Sequence, residues 1–160
     1  NERKIALTRE NLQRLGCQGA VLITHDARYL DTDFRELVAD RCLVDPPCSA
    51  LGVKPKTYEY TSQEEILALS RYQRQFLKTA SKMLRPGGIL VYSVCTMTLP
   101  ECEENVRFAV DECGLEVEKQ DFMLGSAGFD TPLPEGRLTQ RFHPQLHDSG
   151  YFLARFAKKG

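Results

Sequence analysis

The sequence predicts an α/β fold in which a largely parallel sheet is covered by helices on both faces. Short apolar runs alternate along the chain with longer amphipathic segments, which is the order expected of strands and crossover helices. The apolar runs are continuous, as in strands buried on both faces. The last run, residues 151–156, follows a loop instead of a helix, so we expect that strand to be antiparallel. With 160 residues the chain suffices for one domain.

Composition excludes several classes of protein. Hydrophobic residues make up 42% and charged residues 27%, and the net charge of −1 gives no overall basic field. No apolar run approaches the length of a membrane span and the first residues do not form a signal peptide, so we expect no membrane partner. The six cysteines lie in or beside predicted strands and helices without a Cys-x-x-Cys pair, which favours reduced thiols and a cytoplasmic location.

The first 40 residues predict one helix and one strand. Residues 3–15 are amphipathic and are closed by Gly16, a typical helix C-cap. Residues 19–23 are an apolar run that predicts a strand, and Asp26 stands just past its end. An ordinary solvated loop carboxylate is the alternative for Asp26. Residues 29–40 show no clear period and predict a connection with one helical turn at most.

The apolar run at residues 42–44 ends abruptly in Asp-Pro-Pro. Because proline lacks an N–H and restricts the residue before it, the strand ends here and a stiff turn presents Asp45 and Cys48 beyond its carboxyl end. Ligands bind at this edge of open α/β sheets. An ordinary loop with a small buried cysteine explains the same residues. Residues 53–60 interleave lysines and tyrosines, which would suit a phosphate and a stacked base or an ordinary surface loop.

The second half of the chain predicts two helices and three more strands. Ser62 and Glu65 form a capping box that opens a long helix, with apolar residues at helical spacing up to Leu84 and a stop at Pro86. The remaining expected elements are a strand at 89–94 that delivers Cys95, a helix that starts near Pro100 and is closed by Gly114, a strand at 115–118, a long loop at 125–138 and the final strand.

Cys48 and Cys95 lie at the ends of two strands that one helical crossover joins. Strands connected in this way are commonly neighbours, so we expect both thiols and the Asp45 carboxylate to face one crevice. A thiolate is a strong nucleophile. Its addition to carbon 6 of a cytosine makes carbon 5 nucleophilic enough to take a methyl group. The reaction then needs a second group that helps to release the product and a carboxyl group that steadies the ring.

Several motifs carry a family resemblance. They are Asp-Pro-Pro-Cys-Ser at 45–49, Ser-Val-Cys-Thr at 93–96, Arg-Pro-Gly-Gly before that strand, Glu-Cys-Glu-Glu-Asn-Val after it, and the ending Arg-Phe-His-Pro with His-Asp-Ser-Gly-Tyr-Phe-Leu-Ala-Arg-Phe. Together they resemble the RNA cytosine-5 methyltransferases of the Nol/Nop/Sun family over nearly the whole chain. Either cysteine motif alone would be weak, but the two in this order are specific.

The resemblance implies a Rossmann-like fold that uses S-adenosylmethionine and acts on tRNA or rRNA. Carried over by position, Cys95 is the nucleophile that adds to carbon 6 of cytosine, and Cys48 assists release of the product. Asp45 would contact the target cytosine and the methyl donor, and Asp26 matches the acidic residue near the adenine of the donor. Lys4 stands where the family often has a basic residue.

The chain departs from the family in two small ways and one large way. Pro46 replaces the more common Ala, and Ala50 replaces Gly. The glycine-containing donor loop and the strands around it would precede residue 1. We therefore expect residues 1–160 to form a partial catalytic domain with weak or no donor binding and little catalysis alone. Self-association through exposed sheet edges is possible.

Two other readings stay open at this point. Asp-Pro-Pro also resembles the Asp-Pro-Pro-Tyr motif of amino-group methyltransferases, but Cys48 stands in the place of their aromatic residue and Cys95 would have no role. The second alternative is a methyltransferase remnant that binds RNA without turnover.

Overall fold

The computed structural model describes residues 2–53 and 60–160. The helices are α1 (Glu2–Arg14), α2 (Leu30–Asp33), α3 (Gln63–Met83), α4 (Glu103–Cys113) and α5 (Pro144–His147), with 3-10 turns at Ala27–Tyr29 and Pro134–Leu138. The strands are β1 (Ala39–Val44), β2 (Leu84–Val94), β3 (Leu115–Val117), β4 (Ser126–Ala127), β5 (Gln140–Phe142) and β6 (Tyr151–Lys158).

The strands form one mixed, open sheet in the order β1-β2-β6-β5-β4, with β3 also paired to β6. β1 and β2 are parallel, and β6 is antiparallel to β2, β3 and β5. The expected antiparallel last strand is therefore confirmed. Four strands run in the same direction, namely β1, β2, β3 and β5. Among the described strands only β1 and β2 are hydrogen-bonded as a parallel pair, because β6 lies between β2 and β3. The arrangement is the expected Rossmann-like α/β type.

The core lies on one face of this sheet. Helices α3 and α4 pack against each other and bring Leu77 and Val106 to a cluster with Leu90, Tyr92 and Phe156 of the central strands. The opposite face is not covered by a helix within the described ranges, contrary to the expectation of helices on both faces. An open cavity of about 450 Å³ lies there, and Leu43 is 69% exposed. Helix α1 buries no residue.

The predicted strand at residues 19–23 is wrong. This segment is not a strand, and Val21 is 82% exposed. A strand forms only where a neighbour satisfies its N–H and C=O groups. Within the part of the chain that the structure describes, β1 pairs with β2 and its other edge carries no strand. Self-association through such an edge stays a prediction.

The helix boundaries follow the predicted caps. The Ser62 hydroxyl accepts from the Glu65 N–H at 3.2 Å, and the Glu65 carboxylate accepts from the Ser62 N–H at 2.8 Å, which confirms the capping box. α4 begins a few residues later than expected, at Glu103, and ends at Cys113; the residue that caps it is Gly114, whose φ of +62° favours glycine. The predicted loop at 125–138 holds the short β4 and a 3-10 turn. No helix in the described ranges is both long and apolar enough to cross a membrane.

Candidate active site

The two predicted cysteines meet where β1 and β2 end. Val44 pairs with Tyr92 in the parallel register, so the loops that follow the two strands leave the sheet side by side. The sulfur atoms of Cys48 and Cys95 lie 3.0 Å apart, and both residues are half-buried. The expected meeting of the thiols is confirmed, although their roles stay predictions. All six cysteines are free thiols. The cytoplasmic location stays a prediction.

The pKa of Cys48 differs from that of an ordinary thiol. Burial, followed by the hydrogen bond to Cys95, raises the pKa of Cys48 to about 12. Cys48 therefore keeps its proton at neutral pH and can donate it in the 3.0 Å contact to the Cys95 sulfur.

The predicted carboxylates lie beside an apolar cavity of about 250 Å³. Asp45, exposed just beyond β1, lines this cavity together with Leu30, Phe76 and Ala27. Asp26 is the neighbour of Ala27 and caps the 3-10 turn that begins there. The Arg28 guanidinium lies 2.6 Å from the Asp26 carboxylate, and its hydrogen bonds lower the pKa of Asp26 to about 2. Asp26 is therefore an anion directly before Ala27, which lines the cavity.

A buried carboxylate that the sequence did not single out joins the two cysteine loops. Glu101 is fully buried and accepts hydrogen bonds from Ser49, which follows Cys48, and from Thr96, which follows Cys95. Its position between Pro100 and α4 predicted only a favourable charge at a helix start. No signal in the sequence separates Glu101 from Glu103 and Glu104, which belong to the same acidic run.

A buried ion pair supports the loop after β2 from the other side. Arg141 is 2% exposed, and its Nε donates to Glu103 Oε1 at 2.7 Å. Its Nη1 donates to the carbonyl of Met97 at 2.8 Å, two residues past Cys95. Phe129 lies against the guanidinium, 4.3 Å from the ring centre. Arg141, the first residue of the Arg-Phe-His-Pro motif, therefore holds the loop that follows β2.

Two glycines allow the carboxyl-terminal segment to touch the cysteine loops. The Gly52 N–H donates to the Cys95 carbonyl at 3.0 Å, and the Gly150 N–H donates to the Gly52 carbonyl at 2.8 Å. A Cβ on Gly52 would lie 2.1 Å from the Gly150 oxygen, and one on Gly150 would lie 2.7 Å from Met97 Sδ. Neither position accommodates a side chain without backbone movement.

The remaining predicted site residues lie away from the two cysteines or outside the described residues. Lys4 is exposed on α1. The predicted base-stacking and phosphate-binding loop falls largely on residues 54–59, which lie outside the described residues. Tyr60 is described and is 81% exposed, beside a cavity of about 600 Å³ that Cys48 and Ser49 also line.

The Rossmann-like sheet and its paired thiols define the class of the protein. A mixed sheet that presents an acid and two cysteines at adjacent strand ends is an open α/β domain whose ligand-binding edge holds these three residues. The sequence matches the family described as 16S rRNA methyltransferase RsmB/F over residues 1–157, and the chain belongs to this family.

Similar proteins are RNA cytosine methyltransferases by name. The chain is 39% identical to a tRNA (cytosine(72)-C(5))-methyltransferase of Pyrococcus horikoshii, over 99% of this chain and 39% of that protein. It is 31% identical to the human 28S rRNA (cytosine(4447)-C(5))-methyltransferase, over 92% of this chain and 20% of that protein. The crystal structure of NSun6 from Pyrococcus horikoshii with SFG has a TM-score of 0.90 at 38% identity and covers 100% of this chain and 40% of that one. The chain thus spans well under half the length of these relatives.

Proposed function

We propose that this chain supplies the two-cysteine part of an S-adenosylmethionine-dependent RNA cytosine-5 methyltransferase that acts on tRNA or rRNA. The observation that carries the proposal is the 3.0 Å contact between the Cys48 and Cys95 sulfurs at the ends of adjacent parallel strands. The names of the relatives, which include both tRNA and rRNA cytosine-C5 methyltransferases, support the reaction type and the substrate class.

In this proposal Cys95 starts the reaction. Its thiolate forms a bond to carbon 6 of the cytosine, and the π electron pair of the 5,6 double bond shifts onto carbon 5 and is delocalised through carbon 4, which makes carbon 5 nucleophilic. After carbon 5 has taken the methyl group, a water molecule accepts the carbon-5 proton, the electrons of that C–H bond restore the 5,6 double bond, and the bond between the Cys95 sulfur and carbon 6 breaks with its electron pair on sulfur. The protonated Cys48 assists this release, because it donates a hydrogen bond to the departing sulfur. Asp45 contacts the ring from the loop before Cys48.

The cavity beside Asp45 suits the methyl donor. Its walls are mostly apolar, as a purine ring requires, and Asp45 and Asp26 place acidic acceptors at or next to its rim. The ionised Asp26 can accept from amine or hydroxyl groups. When bound, S-adenosylmethionine supplies a methyl group on a positively charged sulfur. We further propose that residues 1–160 alone bind it weakly and turn over little, which a calorimetric titration tests. Tight binding would contradict this.

The two-cysteine geometry also weighs against an amino-group methyltransferase. Such an enzyme has no need of a thiol, so the contact between the two sulfurs would serve no purpose in it. The other alternative, a methyltransferase remnant that binds RNA without turnover, is distinguished by the following experiment.

The test is a covalent RNA adduct seen on a denaturing gel. The chain is joined to the amino-terminal region that the resemblance predicts before it, and incubated with tRNA or rRNA and S-adenosylmethionine. Cys48→Ala should accumulate an adduct, because release is impaired, whereas Cys95→Ala should form none. Cys17→Ala, which changes an exposed thiol beyond α1, is the matched control and should behave as the wild type. If methylation continues in both site variants and neither traps RNA, the proposed mechanism is wrong. A chain that binds RNA without adduct or methylation is the non-catalytic remnant.

A further inference from the structure

We propose that Glu101 is a positioning residue that holds the Cys48 and Cys95 loops at reacting distance. Its importance for catalysis rests on the proposed function, whereas its effect on the distance between the thiols does not. Glu101 touches neither sulfur in the hydrogen bonds that the structure describes. It acts through the residues that follow them in sequence.

The Glu101 carboxylate receives hydrogen bonds on both oxygens. Oε1 accepts from the backbone N–H of Ser49 at 2.9 Å and from Gln73 Nε2 at 2.8 Å. Oε2 accepts from the hydroxyls of Ser49 at 2.6 Å, Thr98 at 2.7 Å and Thr96 at 3.2 Å. The side chain is fully buried, so these groups take the place of water.

The donors come from both cysteine loops. Ser49 follows Cys48 directly and Thr96 follows Cys95 directly, and the two hydroxyl oxygens lie 2.7 Å apart, so the single Thr96 hydroxyl proton is shared between Ser49 and Glu101. One carboxylate therefore closes a bridge that is a single residue away from each thiol. Loss of this bridge would let the loops separate without any change at the sulfur atoms themselves.

Helix α3 anchors the bridge through Gln73. The amide nitrogen of Gln73 donates to the Pro47 carbonyl at 3.0 Å as well as to Glu101. Its oxygen accepts from Tyr92 at 2.9 Å and from Asn105 at 2.9 Å, so the orientation of the amide is fixed. The bridge is thus tied to a core helix as well as to the two cysteine loops.

The chemistry of the donors explains why an acceptor-only group stands here. Each partner is an N–H or O–H group, and an alanine would leave these buried donors unpaired. A glutamine can keep its oxygen towards the Ser49 N–H and turn its NH2 towards the hydroxyls, which rotate to accept. Glutamine should therefore preserve the bridge, whereas alanine should abolish it.

The test measures the distance between the thiols through their own reaction. Diamide removes one hydrogen from each of two thiols, joins the sulfurs in a disulfide and is itself reduced to the hydrazine. Peptide mapping by mass spectrometry follows the Cys48–Cys95 disulfide with time in the wild type, Glu101→Ala and Glu101→Gln. Because the rate depends on how well the groups are held together, Glu101→Ala should slow it roughly tenfold or more, and Glu101→Gln should restore it to within about threefold.

The control separates positioning from general loss of stability. Ser70 is buried, and its hydroxyl donates to the Pro100 carbonyl and to Asn105 without touching either cysteine loop. Ser70→Ala should therefore cross-link at the wild-type rate. If Glu101→Ala does not fold, Thr96→Val removes one bridging hydroxyl from a buried site and should slow the reaction by a smaller factor. A wild-type rate in Glu101→Ala, or in Thr96→Val where it replaces that variant, overturns the proposal.

A second readout links the bridge to catalysis. In the longer protein used for the adduct test, where turnover can be measured, Glu101→Ala should lower kcat more than it raises the KM for RNA. Glu101→Gln should recover most of the wild-type kcat. If cross-linking slows as expected but even the wild type forms no RNA adduct, the proposed function fails and the positioning role stands. If the RNA adduct forms and Glu101→Ala cross-links at the wild-type rate, the proposed function stands and the positioning role of Glu101 fails.

Discussion

The buried ion pair between Arg141 and Glu103 offers a quantitative test of the structure. Arg141→Met keeps an unbranched side chain of similar length but leaves the Glu103 carboxylate, which is fully buried, without its charged partner. Breaking a buried pair in this way costs roughly 3–5 kcal/mol of the free energy of unfolding. For a chain of this size that corresponds to a fall in Tm of roughly 6–20 °C.

The chain contains a matched control. Arg137 pairs with Asp130 at 2.5 Å, but these side chains are 70% and 51% exposed. Since solvent screens such a pair, Arg137→Met should cost at most about 1 kcal/mol. Urea unfolding and calorimetry of both variants at neutral pH compare the two pairs in one fold. Equal small losses for Arg141→Met and Arg137→Met would refute the argument that Arg141 holds the loop after β2.

Three further predictions concern the site and its rim. At pH 8 iodoacetamide should alkylate Cys48 far more slowly than the exposed Cys17. Because only the thiolate reacts, the alkylation rate of Cys48 should rise about tenfold per pH unit towards a pH near 12. Mass spectrometry resolves the two peptides, and equal rates for both cysteines would contradict the raised pKa of Cys48. Gly52→Ala should destabilise the fold by about 1–3 kcal/mol and slow Cys48–Cys95 cross-linking, because its Cβ would collide with Gly150. Gly160→Ala, whose Cβ would meet open space, should change neither result in the same unfolding and cross-linking assays. Asp26, whose pKa is lowered to about 2, should contribute stability at neutral pH that disappears as the pH falls through that value. The difference in unfolding free energy between wild type and Asp26→Asn should therefore shrink on acidification. A difference that grows would contradict the lowered pKa of Asp26.

Local sequence signals predicted the elements that depend on local chemistry. Ser62 and Glu65 fixed the start of α3, Gly114 the end of α4, and Asp-Pro-Pro the end of β1, because caps and prolines act within a few residues. The same strand ends carried Cys48 and Cys95 to one place, since one crossover helix makes the two strands neighbours. The thiol pair could therefore be predicted without the structure.

Elements that need a distant partner could not be predicted in the same way. Residues 19–23 have the composition of a strand, but composition cannot supply the neighbour that completes its hydrogen bonds. Gln73 lies four residues from both Leu69 and Leu77, on the apolar face of α3, but helical spacing does not reveal the partners of its amide group. It is buried because Glu101 and Pro47 meet it from positions 28 and 26 residues away.

The glutamates of the Glu-Cys-Glu-Glu motif show how one sequence pattern divides into different roles. An acidic first turn explains Glu101, Glu103 and Glu104 equally well, because each favours the positive end of a helix. In the fold, Glu101 bridges the two cysteine loops, Glu103 is buried against Arg141, and Glu104 stays partly exposed, 3.9 Å from Arg74. Their neighbours decide the difference, since Ser49 and Arg141 arrive from remote parts of the chain. It follows that replacement of Glu104 should be nearly silent, that replacement of Glu103 should mainly reduce stability, and that replacement of Glu101 should change the reactivity of two thiols that it does not touch.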